Sequence, residues 1–328
     1  MSESPARVFT IPPSAPFLPT LAQAIADGRL IPGFPAKGDP LALANATIFL
    51  PTRRAVRAFG EALLEAFGAE ALVLPRVLPL GDVDEDEIAF ERDALDIPDA
   101  ISPTARRIVL ARLVQQWAAS SARGGEAPLA ATPAASLAFA DELTRVLDDL
   151  TIAGVPFDHL DKVVPDNLDQ YWNVSRDFLK IVQRAWPDIL KEYSLADPTA
   201  RREALLKREA ERLVENGGGP VIAAGSTGSL PSVAHLLRVI AHRKDGAVVL
   251  PGLDQILDEQ SFARIGEAEA DAAQGHPQFG LQRLLRELGA TRGDVIPLAT
   301  PPMLKRERLL SEAFLPAETT DRWETSTQ

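Results

Sequence analysis

The feature that most constrains this chain is a repeated alternation between short apolar runs and stretches with helical spacing. Residues Ala46–Leu50 (ATIFL) form a nearly continuous apolar run, which is typical of a strand buried on both faces. The apolar positions after this run recur at helical spacing: Val56, Phe59, Leu63, Leu64 and Phe67. Alternation of this kind predicts an α/β fold in which helices cover both faces of a parallel sheet.

The same alternation occurs elsewhere in the chain. We predict further strands at Arg7–Ile11, Ala71–Leu74, Val221–Ala224 and Ala247–Leu250, with helices between them. The stretch Leu30–Pro40 is rich in proline and glycine and is predicted to be a loop.

Between residues 101 and 216 the alternation stops and only helical spacing remains. Ser102-Pro103 is a favourable helix start, because proline suits the first helical position. The run Gly217–Pro220 ends this stretch, and strand-like runs then return. We therefore predict one α/β lobe from residues 1–100 and 217–300, an all-helical insertion at residues 101–216, and the start of a linker or second lobe at residues 301–328.

The composition excludes several kinds of chemical site and indicates where the protein is located. The chain contains no cysteine, which excludes disulfides, cysteine nucleophiles, thiolate zinc sites and iron–sulfur clusters within it. No apolar run approaches the roughly 18 residues of a membrane-spanning helix, and the N-terminus does not have the pattern of a signal peptide. We expect a cytoplasmic location and no membrane partner.

The acidic net charge neither supports nor excludes nucleic acid as a partner. The formal net charge is −12, and nine acidic residues lie between Asp82 and Asp99 with Arg92 as the only basic residue among them. Such a run is typical of a solvated face or loop. Since net charge averages over all faces, a binding groove needs only a local basic patch.

The position after the first predicted strand does not have the residues of a phosphate-binding loop. That loop needs glycines and a lysine, whereas Ile11–Pro19 (IPPSAPFLP) contains neither, and no Gly-Lys dipeptide occurs in the chain. Asp141-Glu142 lies within helical spacing and is predicted to be on a helix, not at a strand end. ATP hydrolysis through a normal P-loop is therefore not expected.

Two segments follow predicted strands and are candidates for anion binding. PTRR begins a helix, and its Thr52, Arg53 and Arg54, with Arg57, could bind DNA phosphates together with free N–H groups. The alternative is that these arginines pair with surface acids, for example those at Asp82–Glu87.

The second segment, GSTGS, offers small residues and hydroxyl groups to a nest of N–H groups. A tight strand-to-helix turn would select the same residues. The candidate residues of this weaker anion site are Gly225, Ser226, Thr227, Gly228 and Ser229.

No catalytic or metal-binding pattern is present in the sequence. The four histidines, His159, His235, His242 and His276, do not have metal-ligand spacing. No Ser-His-Asp arrangement can be assembled, and no cofactor is expected in this segment.

Several of these segments together resemble AddB of the alphaproteobacterial type, a subunit family of helicase–nucleases that process double-strand breaks. The similar stretches occur in the same order: VFTIPPSAPFLPTLA, IFLPTRRAVRAF, LPRVLPLGDVDEDE, VIAAGSTGSLPSVAHLLRVIA, VVLPGLD and HPQFGLQRLL. They cover most of the predicted α/β part, whereas the helical insertion is similar mainly in position and type.

The resemblance implies an inactive, RecA-like lobe of the superfamily-1 helicase type, interrupted by a helical insertion. It places IPPSAPFLP at the Walker A position, LPTRR at a DNA-backbone contact and AAGSTGS at the Walker B position, where Ala224 and Gly225 replace the Asp-Glu pair. It also places Gln255 at the γ-phosphate sensor. The implied partners are the AddA helicase–nuclease subunit and DNA ends, and the nuclease domain of the family would lie beyond residue 328.

Two other functions are compatible with the sequence. One is an α/β enzyme or binding protein that holds a phosphorylated small molecule at GSTGS. The other is a scaffold that binds only proteins through its helical insertion.

Overall fold

The fold is described from a computed structural model. The structure describes residues 5–36, 39, 41–80, 96–123, 132–155, 170–215, 218–266, 275–316 and 319–320. The chain forms two compact units, the first from residues 1–84, 209–229 and 233–328 and the second from residues 85–208 and 230–232.

A six-stranded, all-parallel sheet is the centre of the first unit. Its strands are β1 Val8–Ile11, β2 Thr47–Leu50, β3 Arg76–Pro79, β4 Val221–Ala224, β5 Gly246–Pro251 and β6 Ile296–Pro297. They are arranged in the order β3-β2-β4-β5-β1-β6. This arrangement confirms the predicted α/β fold with a parallel sheet.

Ten α-helices lie in the described residues. They are α1 Phe17–Ala26, α2 Arg53–Phe67, α3 Pro103–Arg123, α4 Pro133–Ala153, α5 Gln170–Glu192, α6 Pro198–Glu215, α7 Pro231–His242, α8 Glu259–Ile265, α9 Phe279–Leu288 and α10 Leu304–Ala313. None of the described helices is long and apolar enough to cross a membrane.

Helices cover both faces of the sheet because the chain leaves neighbouring strands in opposite directions. It moves from β1 to β2 and β3 in one direction, and from β4 to β5 and β6 in the other. Since such crossovers are right-handed, α1 and α2 lie on one face and α7, α8 and α9 on the other. Burial agrees with this arrangement: Ile48 and Leu50 join the core cluster of α1 and α2, whereas Phe49 between them is fully buried on the opposite face.

One strand prediction is wrong. We predicted a strand at Ala71–Leu74, but the strand β3 is Arg76–Pro79, paired in parallel with β2. Val73 and Leu74 are about half exposed instead. The prolines around β3 are tolerated because β3 is an edge strand, which needs ladder hydrogen bonds on one side only.

The second unit is helical and has its own core. Helices α3, α4 and α5 contribute to one apolar cluster that includes Leu110, Val114, Leu143 and Trp186. Asp141 and Glu142 lie on α4, as predicted. Asp141 forms a two-bond pair with Arg107 of α3, with both N–O distances at 2.7 Å.

Candidate functional site

The carboxyl edge of the sheet is the part of the first unit where a ligand is expected. The connections leave β2 and β4, which are neighbours, in opposite directions, and the same is true of β1 and β5. In open α/β sheets, ligands bind in the crevices at such switch points. PTRR follows β2 and GSTGS follows β4, so the fold brings the two predicted segments to one crevice.

Thr52 fixes the start of α2. Its backbone is extended, with φ −140° and ψ 156°, and its side-chain oxygen accepts a hydrogen bond from the Ala55 N–H at 3.2 Å. While its oxygen caps the helix, the Thr52 hydroxyl can still donate its hydrogen to an anionic ligand. The first turn of α2 contains no acidic residue.

The three arginines of α2 differ in how accessible they are. Arg53 is half-buried, and Nε and Nη2 of its guanidinium are buried. Arg54 and Arg57 are exposed, and neither side chain has an ion-pair or hydrogen-bond partner among the described residues. The alternative partners, the acids at Asp82–Glu87, lie outside the described residues.

The structure explains why two positions of the GSTGS turn are glycine. Gly225 has φ +81°, and a Cβ there would lie 3.2 Å from Cδ of Pro51 and 3.3 Å from Cε1 of Phe17. Gly228 has φ +59°, and its Cβ would lie 2.6 Å from Cδ1 of Leu284 on α9. Only glycine fits both conformations and both contacts.

The N–H groups of the same two glycines are already donated. The Gly225 N–H donates to the Val249 carbonyl at 2.9 Å, and the Gly228 N–H donates to Oγ of Ser226 at 3.2 Å. Thr227 and Ser229 are exposed. These contacts favour the tight-turn interpretation of the segment over the anion nest.

The crevice itself is apolar. A cavity of about 460 Å³ lies at the ends of β1, β2, β4 and β5. Its described lining contains no charged side chain and consists of Ile11, Pro12, Pro13, Ala15, Phe17, Leu18, Pro51, Ala55, Gly225, Pro251 and Gly252. A nucleotide phosphate would find no cation there.

The loop after β1 is also occupied by the protein's own carboxylate. The N–H of Ser14 donates to Oε1 of Glu307 at 3.0 Å, and the Ser14 hydroxyl makes a short hydrogen bond to the same oxygen. The Met303 N–H donates to Oγ of Ser14 at 3.3 Å. The N–H and hydroxyl groups of Ser14 therefore hold α10 against this loop.

The other residues singled out by sequence lie apart from this crevice. Gln255 follows β5 and is exposed. His235 is exposed on α7, Nδ1 of His242 lies 3.0 Å from the Arg238 carbonyl oxygen, and His159 lies outside the described residues. Within the part of the chain that the structure describes, no group of three or more histidine or acidic side chains could hold a metal ion.

Sequence reasoning did not find Glu307, whose contact with Ser14 spans 293 positions of the chain. No local pattern indicates such a pair. Comparison with protein-family models and with curated proteins gives no match for this chain. The candidate site therefore depends on its geometry, in which two exposed arginines stand at the end of a buried strand.

Proposed function

We propose that this chain is the non-hydrolysing, RecA-like part of a helicase–nuclease subunit of the AddB type, which acts in DNA double-strand break repair. In this proposal it contacts the DNA backbone through Thr52, Arg53, Arg54 and Arg57 and forms a scaffold for the AddA motor subunit. The observation that carries the proposal is the exposure of Arg54 and Arg57 at the carboxyl edge of the sheet.

The physical argument concerns the charge at the start of α2. Cations near a helix N-terminus are unfavourable by about 0.3–1 kcal/mol each, because the positive end of the helix dipole lies there. The first turn of α2 contains no acidic side chain beside Arg54. A DNA phosphate would relieve this repulsion and would accept hydrogen bonds from the guanidinium groups.

The architecture supports the assignment of the first unit to the RecA-like fold. The first strand lies inside a parallel sheet between β5 and β6, and the segments that resemble helicase motifs follow β1, β2, β4 and β5 at one edge. The helical stretch enters the chain between β3 and β4. Each of these placements is what a RecA-like lobe with a helical insertion requires.

The crevice supports a role without nucleotide hydrolysis. Pro12 and Pro13 follow β1 where a phosphate-binding loop would supply N–H groups, and proline has none. Ser14 donates to Glu307. The lobe would therefore guide DNA and hold its partner, while the motor activity would come from AddA.

The DNA contact can be tested with fluorescence anisotropy on a labelled, forked duplex end at several salt concentrations. We expect the Arg54→Ala/Arg57→Ala variant to bind about tenfold more weakly than the unchanged chain. The slope of log affinity against log salt concentration should also be smaller in magnitude by about two in this variant. Each lost phosphate contact removes about one released counterion. Arg53 is kept because its guanidinium is partly buried.

A charge-matched control separates a local contact from general electrostatics. Arg283 and Arg286 are exposed on α9, on the opposite face of the sheet from α2. The Arg283→Ala/Arg286→Ala variant loses the same charge and should bind nearly as tightly as the unchanged chain. Equal weakening by both variants, or by neither, would contradict the proposed contact. If neither variant binds DNA more weakly, capture of purified AddA by the chain would support a scaffold that binds only proteins.

A further inference from the structure

A second cavity, of about 480 Å³, lies at the ends of β1, β5 and β6 beneath α10. None of the residues proposed to contact DNA lines this cavity. Most of its lining is apolar and includes Pro12, Leu253, Pro297, Leu310 and Phe314. Its size and lining are typical of a small-molecule site, in which a few polar groups fix the orientation of a mainly apolar ligand.

Four backbone N–H groups at or beside this cavity are already donated within the protein. The Leu253 N–H donates to Oγ1 of Thr10 at 3.2 Å, and the Asp254 N–H donates to Oε1 of Gln278 at 3.0 Å. The Ile256 and Leu257 N–H groups both donate to Oδ1 of Asp254, at 2.7 and 2.9 Å. An anionic ligand that used these four N–H groups would have to displace hydrogen bonds that hold the loop after β5 together.

The cavity is instead suited to positive charge. Among the described lining residues, Asp254 and Glu307 are acidic and none is a lysine or arginine. Oδ2 of Asp254 and Oε2 of Glu307 accept no hydrogen bond from the described residues. The ring nitrogens of His276, which also lines the cavity, are engaged by the Gln278 N–H and the Phe314 carbonyl, at 3.1 and 2.6 Å.

Ser311 gives independent evidence that a polar ligand group belongs here. It lines the cavity, is 7% exposed and is the buried residue of α10, a helix whose apolar residues are largely exposed. Its hydroxyl has no hydrogen-bond partner among the described residues. Since this hydroxyl lines the cavity, it is available to form a hydrogen bond with a polar group of a ligand.

We propose that this cavity binds a small organic cation, namely a primary amine with a compact apolar body. An ammonium group has three N–H donors, and Asp254, Glu307 and Ser311 each bring an oxygen acceptor to the cavity lining. The apolar body would contact Leu310 and Phe314. The proposal is independent of the DNA contact, because it involves neither α2 nor the loop after β2.

Three probes of nearly equal size and different charge test this site: phenethylammonium, phenethyl alcohol and hydrocinnamate, each titrated calorimetrically. We expect the ammonium probe to bind at least about tenfold more tightly than the alcohol, because hydrogen bonds to charged groups are the stronger ones. Hydrocinnamate should bind most weakly. Ser311→Ala should weaken the ammonium probe by a smaller factor, about threefold, through loss of one neutral hydrogen bond.

The Asp254→Asn/Glu307→Gln variant is designed to keep the fold. Both amides retain the oxygen that accepts the Ile256 and Ser14 N–H groups, so the melting temperature should change little. We expect this variant to bind phenethylammonium about tenfold more weakly, and phenethyl alcohol as before. Glu287→Gln, an exposed change on α9, is the matched control and should have no effect.

Three results would overturn the proposal: equal affinity for all three probes, absence of phenethylammonium binding, or unchanged binding by the double variant. Binding of the forked duplex by the double variant should equal that of the unchanged chain. A failure of the cavity proposal is thus distinguishable from a failure of the DNA contact, which is tested at Arg54 and Arg57.

Discussion

Replacing Arg106 with alanine is expected to lower the free energy of unfolding of the helical unit by about 3–5 kcal/mol. Arg106 is 5% exposed, and its Nη2 lies 2.8 Å from both Oδ1 of Asp148 and Oδ2 of Asp197. Removing the guanidinium leaves two carboxylates close together without their cation. Asp197, which is 8% exposed, cannot turn to solvent to reduce the cost.

The effect extends beyond the ion pair because Arg106 belongs to a hydrogen-bonded network. Nε1 of Trp186 donates to Oδ2 of Asp197 at 3.1 Å, and the Thr199 hydroxyl donates to Oδ1 of Asp148 at 2.7 Å. Residues of α3, α4, α5 and α6 are joined in this way. Removing one member of such a network lowers stability by more than the loss of a single contact would.

Urea unfolding followed by tryptophan fluorescence would measure the change. Arg107→Ala is the matched control, because Arg107 also pairs with an aspartate but is about half exposed together with Asp141. An exposed pair contributes at most about 1 kcal/mol. Similar losses in the two variants would show that burial does not determine the contribution of the Arg106 pair.

Gly246→Ala is expected to destabilise the first unit by roughly 3 kcal/mol, at the upper end of the range for overpacking in a core. A Cβ at this position would lie 2.0 Å from the Ile240 carbonyl oxygen and 2.9 Å from Cβ of Arg243. The first contact is with backbone, which cannot rotate away. Gly246 begins the central strand β5 and pairs with Val221 of β4, so a shift of its backbone would disturb the sheet.

Replacing Gly60 with alanine is expected to stabilise the first unit instead. Gly60 lies inside α2, and its Cβ would meet Cδ1 of Leu74 at 3.5 Å, an ordinary van der Waals distance. Alanine in a helix interior is favoured over glycine by about 0.5–1 kcal/mol. Chemical denaturation of both variants tests the pair of predictions, and a loss of stability at Gly60 or an unchanged stability at Gly246 would contradict the packing described here.

Gly60→Ala also provides a check on the proposed DNA contact. The change stiffens the helix that carries Arg54 and Arg57 without removing a charge. Binding of the forked duplex should therefore be retained, which would separate an effect of charge from an effect of helix stability.

Local pattern in the sequence determined most of the secondary structure of the first unit. Strands β1, β2, β4 and β5 were predicted because each is a short apolar run buried on both faces. Strand β3 was misplaced because an edge strand needs less burial and accepts proline, so its pattern is weak. The absence of phosphate-loop residues after β1 was likewise visible in the sequence alone.

Which of these elements meet depends on the packing of the whole unit. Strand order sets PTRR beside GSTGS, places Glu307 on the loop of Ser14 and forms the cavity that Ser311 lines. The spacing of apolar residues in the sequence indicates whether a residue is buried. It does not indicate which distant residue it packs against. That choice depends on the free energy of packing the whole unit, and so the exposed arginines, the occupied β1 loop and the acidic cavity became apparent only in the folded protein.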